Sequence, residues 1–167
     1  NTKNFYGFSK YINEITSKTF SDIYDIKVVG LRFFTVFGEW GRPDMLIFKY
    51  LKTNLENKVF YLNSNGEHFR DFTYIDDVIK TLNQLIRFKL KTNYDVFNIC
   101  ANKPQKIINV VNKINMFNKN FKFKSIESKE LNKIEVKKTH GSNKKIKKIL
   151  KNKKFFNFDY ALNKTIK

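Results

Sequence analysis

With 167 residues, 41% hydrophobic and 16% aromatic side chains, the chain can bury a core, which excludes a disordered polypeptide. No apolar run approaches the ~18 residues of a membrane span, and the opening Asn1-Thr2-Lys3-Asn4-Phe5 has no signal-peptide h-region. A lone cysteine, Cys100, excludes an intrachain disulfide and fits a reducing compartment, so the cytoplasm is the expected location and no membrane is expected as a partner.

The net charge of +18 raises nucleic acid as a partner, but it is lopsided. Residues 1–100 hold 14 Lys+Arg and 11 Asp+Glu, whereas residues 101–167 hold 19 and 4. The excess of the second part is entirely lysine, much of it alternating with asparagine, while Arg32, Arg42, Arg70 and Arg87 all precede it. A phosphate-reading surface usually adds arginine for bidentate contacts. The lysines therefore read as solvated faces, nucleic acid is not the expected partner, and a lysine-rich polyanion-binding module is the rival reading from another class.

In chain order, residues 5–24 have helical spacing (Phe8, Tyr11, Ile12, Ile15, Phe20), and Asp25 ends them. Ile26 to Phe34 reads as a buried strand, followed by a loop with Gly38, Gly41 and Pro43. Asp44 is the expected cap of a helix from Met45 to about Glu56. Val59–Leu62 is a short strand, Asn63–Gly66 a turn, and His68–Tyr74 a second short strand. Asp76 or Asp77 opens a helix to about Phe88; Val96–Cys100 is a buried strand and Ile107–Phe117 a helix. Beyond Asn118 the pattern weakens: an edge strand at Phe121–Phe123, a helix from Ser142 to Leu150, and a last helix capped by Asp159. Strands separated by helices argue an α/β arrangement.

Three motifs carry chemistry. Tyr6-Gly7-Phe8-Ser9-Lys10 puts a phenol and an ammonium one turn apart on one helix face. A cation beside a tyrosine stabilises its phenolate, and such a group can exchange a proton with a sugar or alcohol hydroxyl. Taken alone, the spacing more often marks a packed ring beside a snorkelling lysine. Leu31-Arg32-Phe33-Phe34-Thr35-Val36-Phe37-Gly38-Glu39-Trp40-Gly41-Arg42-Pro43-Asp44-Met45 is the second motif and Arg70-Asp71-Phe72-Thr73-Tyr74-Ile75-Asp76-Asp77-Val78 the third.

In this order the three motifs resemble the extended short-chain dehydrogenase/reductase superfamily. Within it the chain is most similar to the NAD-dependent nucleotide-sugar epimerases, in particular the UDP-glucuronate 4-epimerase branch. The resemblance covers residues 1 to about 115 and thins over 118–167. It implies an α/β fold: the C-terminal portion of an NAD(P)-binding Rossmann fold interleaved with the smaller substrate-binding domain, one partial epimerase domain over residues 1–167. The Gly-x-x-Gly-x-x-Gly turn that seats a dinucleotide pyrophosphate does not occur in the sequence, nor does the Ser or Thr that completes the triad with Tyr and Lys.

What the resemblance implies for function is specific. Tyr6 and Lys10 are the expected catalytic pair, and with Phe33 they contact NAD. Tyr6 takes the 4-hydroxyl proton while NAD accepts the C4 hydride, and the 4-keto sugar is re-reduced on its other face, turning UDP-glucuronate into UDP-galacturonate. Phe34, Thr35, Arg42, Lys49, Arg70 and Glu135 are the expected substrate contacts, with Arg70 on the diphosphate and Asp71 orienting its guanidinium. Phe60 or Tyr61 is weighed as a uracil stack, with core packing preferred. Glu135, in Lys133-Ile134-Glu135-Val136, stands where relatives carry an acid on the nucleotide ribose, without their Pro-Gly turn. NAD is expected for a full-length protein and not for this chain alone, and a homodimer through helices around the Tyr-Lys helix follows by analogy. A nucleotide-sugar 4,6-dehydratase or decarboxylase is the nearest alternative. Tyr74, Asp76 and Asp77 read as structural and Cys100 as inert packing. His68 and His140 lack partners at ligand spacing, so no metal site is expected.

Overall fold

A computed structural model describes residues 4–117, 119–126, 136–151 and 154–167. The chain opens with α1 (Phe5–Tyr24), which begins where Asn4 Oδ1 accepts the amide of Gly7 at 2.8 Å and ends as Asp25 turns left-handed. Then come β1 (Val28–Phe33), β2 (Thr35–Phe37), α2 (Leu46–Leu55), β3 (Phe60–Asn63), β4 (Phe69–Arg70), β5 (Phe72–Tyr74) and α3 (Ile75–Ile86). The remainder is β6 (Tyr94–Ile99), β7 (Gln105–Lys106), α4 (Ile107–Asn115), β8 (Phe123–Ile126), α5 (Lys144–Lys147) and α6 (Phe158–Ile166).

Among the described residues three strand pairs are parallel, β1 with β6, β2 with β5, and β3 with β8, and one, β4 with β7, is antiparallel. Parallel pairing needs covering helices, and they are present. One core gathers Phe37, Phe72 and Tyr74 with Ile47 and Tyr50 of α2, Val110, Val111 and Ile114 of α4, and Ala161 and Leu162 of α6. Phe37 meets Phe72 edge-on at 5.8 Å and Tyr50 meets Phe60 at 5.0 Å, the arrangement aromatic quadrupoles favour. A second core joins Val78 and Leu85 of α3 to Phe97 and Ile99 of β6 and to Ile146 and Leu150 at α5.

Several sequence expectations are corrected here. The single strand expected over His68–Tyr74 is two, because the chain changes partner at Asp71. The amide of Asp71 donates to Thr139 Oγ1 at 3.2 Å, its carbonyl accepts the amide of Thr35 at 3.1 Å, and its fully buried carboxylate faces the amides of Gly141 and Lys103. None of those partners is Arg70, so Asp71 anchors loops instead of orienting that guanidinium. Asp44 does not cap α2: it takes the Arg42 guanidinium in a two-point ion pair, and Met45 holds the cap position without a side-chain bond. The cap positions of α5 and α6 fall to Asn143 and Asn157, not to Ser142 or Asp159; only Asn157 caps with its side chain. Strand β8 begins only at Phe123, the last residue of the Phe121–Phe123 expectation, and runs on to Ile126, while β7 is an element beyond those expected.

The α1 and β1 pair is covered on one side only. Among described strands β1 pairs with β6 alone, and Ser21 is the one buried residue of α1. Phe5, Tyr6, Phe8, Tyr11, Ile12, Ile15, Phe20, Ile23 and Tyr24 are all exposed. What holds α1 is polar. Ser21 Oγ donates to the carbonyls of Ile26 and Asn93, and Tyr94 Oη donates to the carbonyl of Glu14. No helix among the described residues is long and apolar enough to cross a membrane.

Candidate active site

Two concavities are lined by neighbouring stretches of the chain where β1 passes into β2. The first, a cleft of about 670 Å³ between α1 and β1, is lined by Tyr6, Lys10, Glu14, Arg32, Phe33 and Tyr94, among others. Helical i, i+4, i+8 spacing brings Tyr6, Lys10 and Glu14 to the same face. Lys10 Nζ lies over the Tyr6 ring, 5.3 Å from its centroid, a cation–π placement. Across the cleft Arg32 grips Glu14 with two hydrogen bonds of 2.7 and 2.6 Å, which hold the Glu14 carboxyl below its ordinary range. The sequence reading missed Glu14, although its spacing from Tyr6 and Lys10 was available.

The second concavity, about 330 Å³, falls between the start of α2, β3 and β4. Thr35, Lys49, Tyr61, Asn63, His68 and Arg70 line it, with Asp44 at its edge. Arg70 Nη1 donates to the carbonyls of Phe69 and Val136 at 2.9 and 2.7 Å. Three expected substrate contacts, Thr35, Lys49 and Arg70, thus share one cavity. Only Phe34 separates Phe33, in the wall of the cleft, from Thr35, in the wall of the cavity.

Other expected residues are not brought there. Arg42 is exposed, turned to Asp44, and lines neither space. Phe34 faces the chain at Gly141, where an added Cβ would lie 2.5 Å from its ring. Glu135 lies outside the described residues. Phe60 is buried in the core, whereas Tyr61 is exposed at the cavity wall.

The residues read as structural have structural surroundings. Tyr74 is buried, its hydroxyl donates to both Glu39 carboxylate oxygens, and burial drives its pKa upward, with that bond adding to the shift. Asp77 is buried at the start of α3; burial pushes its pKa up to about 6, although it accepts the Phe156 amide at 2.9 Å. Cys100 is fully buried and its thiol is pushed up to about 11 by burial, with the Asp71 charge second, which leaves little thiolate at neutral pH.

The fold thus sets a Tyr-x-x-x-Lys helix against β1 of a mostly parallel α/β core, with an Arg- and Lys-lined cavity elsewhere in the same core. Residues 1–100 match the model of the NAD dependent epimerase/dehydratase family, and the chain belongs to that family. It is 34% identical over 125 residues to Protein CapI of Staphylococcus aureus, covering 65% of this chain and 37% of that protein. It is 45% identical over 78 residues to UDP-glucuronate 4-epimerase 6 of Arabidopsis thaliana, covering 45% of this chain and 17% of that one. Its fold overlays a crystal structure of UDP-glucuronic acid 4-epimerase from Bacillus cereus, in complex with UDP-glucuronic acid and NAD, with a TM-score of 0.82 and 26% identity. That match covers 96% of this chain and 51% of the other. The chain spans about half the length of that structure and less of the curated relatives it matches.

Proposed function

We propose that this chain carries the substrate-binding half and the Tyr-Lys wall of an NAD-dependent UDP-glucuronate 4-epimerase. The observation that carries the reading is that Thr35, Lys49 and Arg70 share one cavity, two residues along the chain from a cleft walled by Tyr6 and Lys10. The cavity takes the nucleotide diphosphate: Arg70 presents a planar guanidinium suited to phosphate oxygens, and Lys49 adds a point charge. Thr35 offers a hydroxyl that donates to the hexose carboxylate. The exposed Tyr61 is the better placed of the two aromatics to lie against a uracil ring.

Tyr6 is the base toward the sugar 4-hydroxyl, and Lys10 steadies the phenolate and holds the cofactor ribose. The donor set of the first cleft, a phenol, an ammonium and the half-exposed ring of Phe33, fits the nicotinamide end of NAD. When bound, NAD supplies the hydride acceptor. The sequence 1–167 contains no glycine-rich turn for its pyrophosphate, so a polypeptide of these residues alone is expected to bind UDP-sugar and not NAD.

The test is a fusion of the nucleotide-binding half of the Bacillus cereus enzyme to residue 1 of this chain. Supplied with UDP-glucuronate and NAD, it is expected to yield UDP-galacturonate. A 4-keto-6-deoxy sugar or a pentose with CO2 would instead make the chain part of a dehydratase or decarboxylase. Tyr6→Phe is expected to remove product while leaving UDP-sugar affinity within about twofold. Loss of both together would refute the division of roles.

A further inference from the structure

The residue before β4 has no part in the reading above. His68 is 6% exposed, lines the second cavity, and continues the β4–β7 ladder by accepting the amide of Ile107 at 2.9 Å. Because the extended backbone alternates faces, residues 68 and 70 project to the same side. His68 and Arg70 therefore address one cavity from adjacent positions of one strand edge, with Lys49 facing them from α2. A cavity of about 330 Å³ is at the scale of a small-ligand site, and three basic side chain types in its wall call for an anion.

We propose that His68 is a third nucleotide-binding group of this cavity, donating its imidazole N–H to the diphosphate of a UDP-sugar alongside Arg70 and Lys49. The inference rests on the nucleotide-sugar reading of the cavity and goes further, assigning a contact to a residue that the reading leaves out. Charged and titratable residues in the same wall are Asp44 and Lys49 from the α2 side, Tyr61 of β3 and Arg70 of β4; the Glu67–Lys106 ion pair of 2.7 Å joins the segment before β4 to β7, and the segment that carries Lys137 and Lys138 pairs with Phe69. An imidazole N–H can donate to a phosphate oxygen.

The experiment is calorimetric titration of the 167-residue chain with UDP-glucose at a single pH. His68→Ala is expected to weaken binding by about tenfold. His68→Gln is expected to recover part of that loss, since its amide still donates one bond. Arg70→Ala is expected to weaken binding by at least as much. A His68→Ala affinity equal to wild type overturns the assignment and leaves the nucleotide reading standing. Absence of any binding by wild type overturns both.

A second measurement needs no variant at position 68. The chain has two histidines, and His140 is exposed with Nε2 2.7 Å from Asn102 Oδ1, away from the cavity lining. UDP-glucose is expected to shift the ring resonances of His68 and leave those of His140 unmoved, with His140→Gln assigning the pair. Movement of the His140 signals alone would refute the proposal.

Discussion

Replacing Asp77 by Asn should flatten the acid limb of the stability profile. The carboxyl is 5% exposed at the start of α3, and burial raises its pKa from the ordinary 3.8 to about 6. Two effects oppose that rise, the hydrogen bond from the Phe156 amide and the nearby Lys80 charge, while Asp76 adds to it. The α3 dipole also favours a negative charge there, by about 1 kcal/mol or less. Burial outweighs these effects.

Between pH ~4 and ~6 the unfolded chain has lost this proton and the folded chain has kept it. The folded state then binds more protons, so stability falls as pH rises across that window and levels off above it. About two pKa units at 1.36 kcal/mol each make the loss about 3 kcal/mol. Asn is neutral at every pH and its Oδ1 can still accept the Phe156 amide. Asp77→Asn should therefore match wild type near pH 4 and exceed it by about 3 kcal/mol at pH 7, a shift of several degrees in Tm. Urea unfolding of both proteins at half-unit steps from pH 4 to 7.5 reads this directly. Parallel profiles would refute the reasoning, and a variant weaker than wild type at pH 7 would reverse its sign.

Two other outcomes follow from single positions. Gly141→Ala would put a Cβ 2.5 Å from both Cys100 Sγ and Phe34 Cζ, where the sulfur is fully buried, so it should cost about 1–3 kcal/mol in urea unfolding; a loss under about 0.5 kcal/mol would mean the loop yields. Trp40, the only tryptophan, is fully exposed with a left-handed φ of 60° in the loop that leads to α2, so its emission should be that of indole in water and open to iodide quenching, and a blue-shifted, shielded emission would contradict its placement.

The parts legible in the sequence were those with local causes. The span of α1 and the starts of α3 and α4 fall within a residue or two of the expectation, because apolar spacing and turn residues act over a few positions. The break at Asp71 has only a faint mark in the sequence, the adjacent polar pair Arg70-Asp71 in an otherwise alternating His68–Tyr74; what divides the segment is a change of partner from β7 to β2, set by residues more than 30 positions away. Caps were misassigned for a similar reason. Asp44 has good capping chemistry, but Arg42 two residues earlier takes its carboxylate, and Asn143 is drawn to the Cys100 carbonyl. At the site, spacing pointed to Tyr6 and Lys10 and the family resemblance to Phe33, Thr35, Lys49 and Arg70; the first three line one space and the last three another. Glu14 shares the helical spacing of Tyr6 and Lys10, but its partner Arg32 is supplied only by pairing across the fold.

The least anchored part of the fold is also the part assigned the chemistry. A helix depends on tertiary burial for most of its stability, yet α1 buries only Ser21. Its described ties fall in the second half of the helix or near it: the Glu14 carbonyl to Tyr94, the Glu14–Arg32 pair, and the two bonds of Ser21. Tyr6 and Lys10 lie on the first two turns, held at the end by the Asn4 cap, itself worth about 1 kcal/mol. Amide exchange of the chain should therefore find residues 8–12 of α1 the least protected helical amides, residues 18–24 better protected, and Val110–Ile114 of α4, buried in the larger core, protected longest. Equal protection of residues 8–12 and of α4 would show that the open face of α1 costs the fold nothing. Proton transfer needs its groups held within a fraction of an ångström of the reacting geometry. On this argument the Tyr-Lys pair gains that order only when something packs on the exposed face of α1 and the free edge of β1, and the exchange of residues 8–12 should slow by at least tenfold in the fused protein described above.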